Sequence, residues 1–276
     1  MKVKNYTTLM MIGMNDNELM IIPDVHGRFF WKEPVKYVLE NTNIPIVFLG
    51  DYLDPYYDDF FDEKDEPLIP NIHTMDDVNL LTIKNFREII FFKKKYKDRI
   101  VLLLGNHDCT YMFGEHMCKV RMDRRNYREI STLFRENKNL FQLAHENYIN
   151  GKHFIFTHAG INKKYAFQCF GDDVNEDNVV ALFNDAYRNE NYGVIDSLSM
   201  YSRYRGKWGG DYGSLIWADS LEWFTDINEN ESYGFSVVGH TKFKKYTVVD
   251  NFAFLDTKEC FIIDKEGNIK KFEEII

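Results

Sequence analysis

Short apolar runs, each stopping at a glycine or a polar tip, recur along the chain. Leu19-Met20-Ile21-Ile22, Ile46-Val47-Phe48-Leu49 and Ile100-Val101-Leu102-Leu103-Leu104 have no polar alternation, so each predicts a strand buried on both faces. Between them the period lengthens. Phe30, Val35, Val38 and Leu39 predict a helix over 28–41, with Pro34 in its first turn. Leu80, Leu81, Ile83, Phe86, Ile89, Ile90 and Phe91 predict another over 78–97, and the basic end from Lys93 to Lys97 suits a helix C-terminus. Strand, polar tip and helix alternate, so the class is α/β with the chemistry at strand ends.

The second half reads differently. Asn150-Gly151, between apolar arms at 141–149 and 152–157, predicts a hairpin. A helix is expected over 175–188, a Gly-, Arg- and aromatic-rich irregular loop over 201–212, and strands at 235–241, 246–254 and 261–263. Arginines mixed with acids over 118–136 predict an amphipathic, solvated helical region rather than a nucleic-acid face. From Pro55 to Asp77 acids crowd together with Tyr56, Tyr57, Phe60 and Phe61, which predicts an insertion that either covers the strand ends or is anchored to the body. With no linker and no repeat, the chain is expected to form one domain over 1–276, with that insertion at about 55–77.

Composition narrows the partners. A 276-residue chain with 45% hydrophobic residues can bury a large core, and its net charge of −9 excludes a general polyanion binder, so no long nucleic acid is expected. No apolar run approaches the roughly 20 residues of a membrane span, and Met1-Lys2-Val3-Lys4 does not lead into a secretory signal, so a cytoplasmic, membrane-free location is expected. Cys109, Cys118, Cys169 and Cys260 are spaced too widely for a zinc ribbon or CxxC motif and are expected to be reduced thiols.

The strand exits carry the chemistry. Asp24 and His26, Asp51, Asn106, His158 and His240 each stand at or just past an apolar run. Carboxylate, imidazole and amide oxygen without thiolate suit Mn²⁺, Fe or Zn²⁺ in a catalytic role. Six ligands exceed the needs of one ion, whereas two ions about 3.5–4 Å apart and sharing a carboxylate would use them all.

Asp24-Val25-His26-Gly27, Gly50-Asp51-Tyr52-Leu53-Asp54, Gly105-Asn106-His107-Asp108, His158-Ala159-Gly160 and Gly239-His240-Thr241 together resemble the ordered motifs of calcineurin-like metallophosphoesterases. The branch resembled holds the serine/threonine phosphoprotein phosphatases and the symmetrical diadenosine-tetraphosphate hydrolases. The resemblance implies two mixed β-sheets face to face, helices outside, and a dimetal centre at the strand ends. It implies that Asp24 and His26 hold one metal, that Asp51 bridges, and that Asn106, His158 and His240 hold the other. His107 would protonate the leaving oxygen, oriented by Asp54, and water would attack phosphorus directly without a phosphoenzyme. The expected function is metal-dependent hydrolysis of a phosphate monoester, on a phosphorylated small molecule or a phosphoprotein. A dinucleoside polyphosphate, with Tyr56, Tyr57, Tyr111 or Trp208 stacking a base, is the second expectation, and a non-catalytic phosphate-binding module the third.

Two departures bear on substrate. Where this branch commonly has Arg-Gly after the position of Asp54, the chain has Pro55-Tyr56, and Asp108 stands where Glu is common. Arg28, Arg203 and Arg205 are the candidate replacements for the missing guanidinium, Arg203 or Arg205 ahead of Arg28 because their Gly-rich loop has no simpler core role.

Overall fold

A computed structural model describes residues 18–117, 120–225 and 231–274. The chain start, read above for a targeting signal, and Cys118 lie outside the described residues. Cys109, Cys169 and Cys260 are free thiols. Among the described residues, no helix is long and apolar enough to cross a membrane.

The strands in chain order are β1 (Leu19–Ile22), β2 (Ile46–Phe48), β3 (Ile100–Leu103), β4 (Phe141–Gln142), β5 (Ala144–Ile149), β6 (Lys152–Thr157), β7 (Phe235–Val238), β8 (Thr247–Val249), β9 (Phe252–Phe254), β10 (Phe261–Ile263) and β11 (Ile269–Lys271). They form a six-stranded sheet in the order β11-β10-β1-β2-β3-β4 and a five-stranded sheet in the order β5-β6-β7-β9-β8. Both sheets are mixed. In the first, β1 to β4 run parallel while β10 and β11 are antiparallel to their neighbours. In the second, β6, β7 and β9 are parallel and β5 and β8 close the edges antiparallel.

The uninterrupted apolar runs now have a cause. Leu19 and Ile21 of β1, Val47 of β2 and Leu103 of β3 join Phe154, Phe156 and Val237 of the second sheet in one buried cluster between the sheets. Met20, Ile22, Ile46, Phe48, Ile100 and Leu102 point the other way, onto Trp31, Val35, Val38, Ile83, Phe86 and Ile89. Period-2 geometry thus divides each run between two apolar layers, and every such side chain contributes about 1.5–3 kcal/mol by leaving water. The helices α1 (Lys32–Asn41) and α2 (Met75–Tyr96) supply that second layer. Pro34 sits in the first turn of α1, where a missing N–H costs nothing. The second helix begins earlier than its apolar period because the Thr74 side chain accepts from the Asp77 N–H while the Asp77 carboxylate accepts from the Thr74 N–H.

Three stretches differ from the sequence reading. The 141–149 arm is not one strand: β4 pairs with β3 in the first sheet, and after Leu143 the chain crosses to pair β5 with β6 in the second. The 246–254 run is likewise a hairpin, turned at Asp250 in the left-handed region, rather than a single strand. Helix in the 118–136 stretch is confined among the described residues to Tyr127–Glu136. All three errors come from reading apolar or mixed runs without knowing which neighbour they pair with.

The insertion is anchored rather than free. Phe60 and Phe61 are buried with Ile72 and Val78 in a small cluster that Phe29 and Met75 complete. Asp59 accepts from Arg28 Nε at 2.7 Å and from Lys258, so the segment is tied to the loop after β1 and to the loop before β10.

Candidate metal centre

Parallel pairing of β1, β2 and β3 brings their exits to one edge, and parallel pairing of β6 and β7 does the same for the second sheet. The five motifs meet there. Reaching it demands tight turns: His26, Asp51, Asp54 and His240 all have positive φ, at 42°, 53°, 59° and 63°. Non-glycine residues in that region are held by their surroundings, and such strain gathers at functional sites. Gly105 shows how close the turns pack, since a Cβ there would lie 2.1 Å from Asp51 Oδ1.

Backbone carbonyls set the imidazoles. His26 Nδ1 donates to Leu53 O at 2.8 Å and lies 3.1 Å from Asp54 O, and His158 Nδ1 donates to Leu49 O at 2.9 Å. A carbonyl only accepts, so both rings carry the proton on Nδ1 and present a lone pair at Nε2. Those lone pairs converge on one atom. Asp51 Oδ2 lies 3.4 Å from His26 Nε2 and 3.5 Å from His158 Nε2. His158 Nε2 also has Asn106 Oδ1 at 3.0 Å and His240 Nδ1 at 3.1 Å. Burial holds the His26 and His240 pKa values well below the ordinary imidazole value, aided at His240 by the neighbouring Arg205 charge, so both rings stay neutral. Burial pushes Asp51 the other way, well above the carboxylate range. Lone pairs crowded around a buried carboxylate call for positive charge among them, and oxygen and imidazole donors in this number fit divalent cations.

Two ligand groups can be drawn with Asp51 in common: His26, Asp51 and His107 on one side, and Asp51, His158 and His240 on the other. Asn106 joins the second group through His158. Asp24 is in neither. Its carboxylate accepts from the His240 N–H at 3.0 and 3.1 Å, joining the first motif to the last.

His107, at the start of α3 (Asn106–Phe113), has its N–H on Asp51 Oδ1 at 3.0 Å and its Nδ1 on Asp54 Oδ2 at 2.7 Å. Its ring stands edge-on to His26, 5.0 Å between centroids. Asp54 Oδ1 accepts from the Tyr111 hydroxyl at 2.5 Å and the Asp123 N–H at 3.2 Å. Sequence reasoning missed this support. Tyr111, weighed there as a base-stacking ring, is fully buried, and its role is to hold Asp54. Asp108 was noted only as a departure, yet it accepts from the N–H groups of Asp51 (2.7 Å), Gly105 (2.8 Å) and Tyr52 (3.1 Å), stapling the second motif to the third. Burial nevertheless raises its pKa to about 7. Its position three residues after Gly105, at the N-terminus of α3, was the available signal.

The candidate phosphate-binding arginines separate. Arg205 pairs with Asp219 Oδ2 at 2.6 Å and donates to Thr241 Oγ1 at 2.5 Å, beside His240. Arg203 is exposed and pairs with Asp211 at 3.2 Å. Arg28 is buried, on Asp59 and on the Asp24 carbonyl oxygen at 3.2 Å, leaving one terminal nitrogen without a hydrogen bond. The stacking candidates also separate: Tyr57 is stacked on Phe61 at 4.6 Å, whereas Trp208 is 81% exposed.

Among curated proteins, no sequence matches the chain. A structure of a cold-active protein-tyrosine phosphatase from the psychrophile Shewanella sp. is 14% identical, with 94% of this chain and 81% of that one covered and a TM-score of 0.47. A structure described as "a putative diadenosine tetraphosphatase" is 12% identical, with 93% of each chain covered and a TM-score of 0.42. The family model for calcineurin-like phosphoesterases matches residues 18–244, a span that contains all five motifs and strands β1 to β7. On that match the chain belongs to the calcineurin-like phosphoesterase family, whose members are hydrolases dependent on paired metal ions.

Proposed function

We propose that the protein is a two-metal phosphoesterase that hydrolyses a phosphate monoester by direct attack of water. The observation that carries this reading is the position of Asp51 Oδ2 between His26 Nε2 and His158 Nε2, with both rings oriented by backbone carbonyls. Asp51 would be shared by the two ions, with His26 and, after a turn of its carboxylate away from the His240 N–H, Asp24 holding one, and Asn106, His158 and His240 holding the other. When bound, two divalent ions offset charge on the phosphate oxygens and make hydroxide available near neutrality. Mn²⁺ suits the donor set, with Fe or Zn²⁺ as alternatives.

The chain's own groups do the rest. Asp51 orders the turn by taking the His107 N–H, and Asp54 holds His107 Nδ1–H so that the other nitrogen can deliver a proton to the departing oxygen. Arg205, beside His240, is the better placed of the two loop arginines to meet a phosphate oxygen. A phosphorylated small molecule or a phosphoserine or phosphothreonine side chain fits this arrangement. A non-catalytic phosphate-binding module would have no need of the Asp54–His107 arm.

Chelation is expected to abolish phosphate release from p-nitrophenyl phosphate, and Mn²⁺ to restore it, while Asp51→Asn stays below about 0.1% of the restored rate. Undiminished turnover in a metal-free preparation would overturn the two-metal reading. A panel of phosphopeptide, aryl phosphate and diadenosine tetraphosphate, run with Mn²⁺, Fe²⁺ and Zn²⁺, identifies the ester and the ion.

A further inference from the structure

One more strand exit carries an acid that the sequence reading passed over. Phe252-Ala253-Phe254-Leu255 runs apolar into Asp256, and β9 pairs parallel with β7 in a register that sets Phe254 against Val238. His240 and Asp256 thus each follow a paired residue by two positions, on neighbouring exits at the edge where the motifs meet. Asp256 is 3% exposed, its carbonyl oxygen accepts from the Phe243 N–H at 3.2 Å, and its Oδ1 has no hydrogen bond. A buried carboxylate oxygen without a donor is unfavourable by itself.

The cation that Asp256 faces is Arg28. This guanidinium is 6% exposed, donates from Nε to Asp59 at 2.7 Å and from Nη1 to the Asp24 carbonyl oxygen at 3.2 Å, and has Asp256 Oδ1 at 4.0 Å from Nη1. Its Nη2 is buried without a partner. A buried cation with a spare nitrogen therefore stands beside a candidate metal ligand. Buried charges are little screened, and a guanidinium and a carboxylate favour a bidentate pair. Yet the Asp24 carboxylate is on the His240 N–H at 3.0 and 3.1 Å, and Arg28 hydrogen-bonds only the main chain of Asp24.

Two other carboxylates account for that restraint. Asp59 takes the Nε side and is shared with Lys258, while Asp256 is the anion on the Nη side. Among the described residues, no further carboxylate lies within ion-pair distance of Arg28. With Asp256 neutral, the Nη nitrogens would be free to turn onto the Asp24 carboxylate. A guanidinium there competes with a metal ion for the same oxygens.

Resting on the two-metal reading, we infer that Asp256 is a positioning residue for the ion held by Asp24 and His26: it keeps the Nη side of Arg28 off the Asp24 carboxylate and so leaves that ligand free for metal. Arg28 is then a brace on the first motif, with its charge balanced from both ends, and not a group that meets the substrate.

The test is a Mn²⁺ titration of the metal-free protein by calorimetry, with the metal-free Tm measured alongside. Wild type should bind two ions. Asp256→Asn keeps the side-chain shape and removes the charge, and should weaken one ion by about 10- to 100-fold while leaving the other within about threefold. The double variant Arg28→Gln with Asp256→Asn removes the competitor as well, and should recover most of the lost affinity. A purely structural Asp256 predicts the opposite pattern, in which Asp256→Asn lowers the metal-free Tm, leaves both Mn²⁺ affinities unchanged, and is less damaging than the double variant. That pattern would overturn the inference, as would a weakening shared equally by the two ions or a double variant that binds no more tightly than Asp256→Asn. Asp256→Ala, which leaves no buried amide to satisfy, carries the same comparison if Asp256→Asn fails to fold. A wild type that binds fewer than two Mn²⁺ ions would instead overturn the two-metal reading.

Discussion

Replacing Asp54 by Asn isolates the proposed proton-delivering arm of the site. Asp54 Oδ2 accepts from His107 Nδ1 at 2.7 Å, and Oδ1 accepts from the Tyr111 hydroxyl at 2.5 Å and the Asp123 N–H at 3.2 Å. An amide has one oxygen. The Tyr111 hydroxyl accepts from the Asp123 N–H at 2.7 Å and so donates its own proton, which leaves the amide oxygen on that side and turns the NH₂ toward His107. His107 Nδ1 must then accept, which reverses the hydrogen bond through which Asp54 orients the ring. A hydrogen bond to a charged group is worth about 1.5–3 kcal/mol, roughly 10- to 150-fold, and complete loss of a general acid costs about 10²–10⁴. For an alkyl phosphate, whose alkoxide leaves poorly, kcat should fall by at least about 10²-fold. For p-nitrophenyl phosphate, whose phenolate departs without a proton, the fall should stay under about tenfold. The assay is phosphate release by Mn²⁺-loaded enzyme across esters of graded leaving-group basicity, and the variant should show the steeper dependence. Equal falls along the series, or no fall at all, would refute the assignment of His107 and Asp54 to leaving-group protonation.

Other parts of the structure give independent tests. Asp59→Ala takes from buried Arg28 its hydrogen-bonded carboxylate, leaving Asp256 Oδ1 at 4.0 Å, and should destabilise the fold by about 1.5–3 kcal/mol in urea unfolding; a loss below about 0.5 kcal/mol would mean the insertion is not held by that pair. Gly105→Ala drives a methyl into Asp51, whose backbone N lies 2.7 Å and Oδ1 2.1 Å from the new Cβ, so the variant should lose the rise in Tm that Mn²⁺ gives the wild type. Burial raises Glu222 to about 7, although it accepts from the N–H groups of Asp219 and Gly213. The folded state therefore binds this proton more tightly than the unfolded one, and the group's contribution is full below the unfolded value of 4.5 and declines as pH rises toward about 7. Glu222→Gln does not titrate, so its Tm should gain on wild type across that interval and run parallel above it; a difference independent of pH would count against the burial argument.

Much of the candidate centre was legible because each strand and its candidate ligand are adjacent in sequence. Ile21-Ile22 before Asp24 and His26, Val47-Phe48 before Asp51, and Leu102-Leu103 before Asn106 each declare a buried strand and what stands at its exit. Apolar content fixes such strands locally, since burial on both faces leaves no polar period to obscure them. Ring orientation was not legible, because it depends on carbonyls at Leu49 and Leu53 that no spacing rule connects to His158 and His26. The Tyr111 contact to Asp54 joins residues 57 positions apart and escaped for the same reason.

What the amino-acid order determined by itself was the set of buried strands, the residue types at their ends, and the α/β class. Packing decided the pairing: that 141–149 divides between two sheets, that Asp51 faces His26 and His158 together, and that Arg28, Arg203 and Arg205 are each bound to a carboxylate. Hydrophobicity and backbone period act over a few residues and can be read in order. Charge partners and lone-pair directions are settled between segments that only the closed fold brings within a few ångströms, so they belong to the tertiary structure alone.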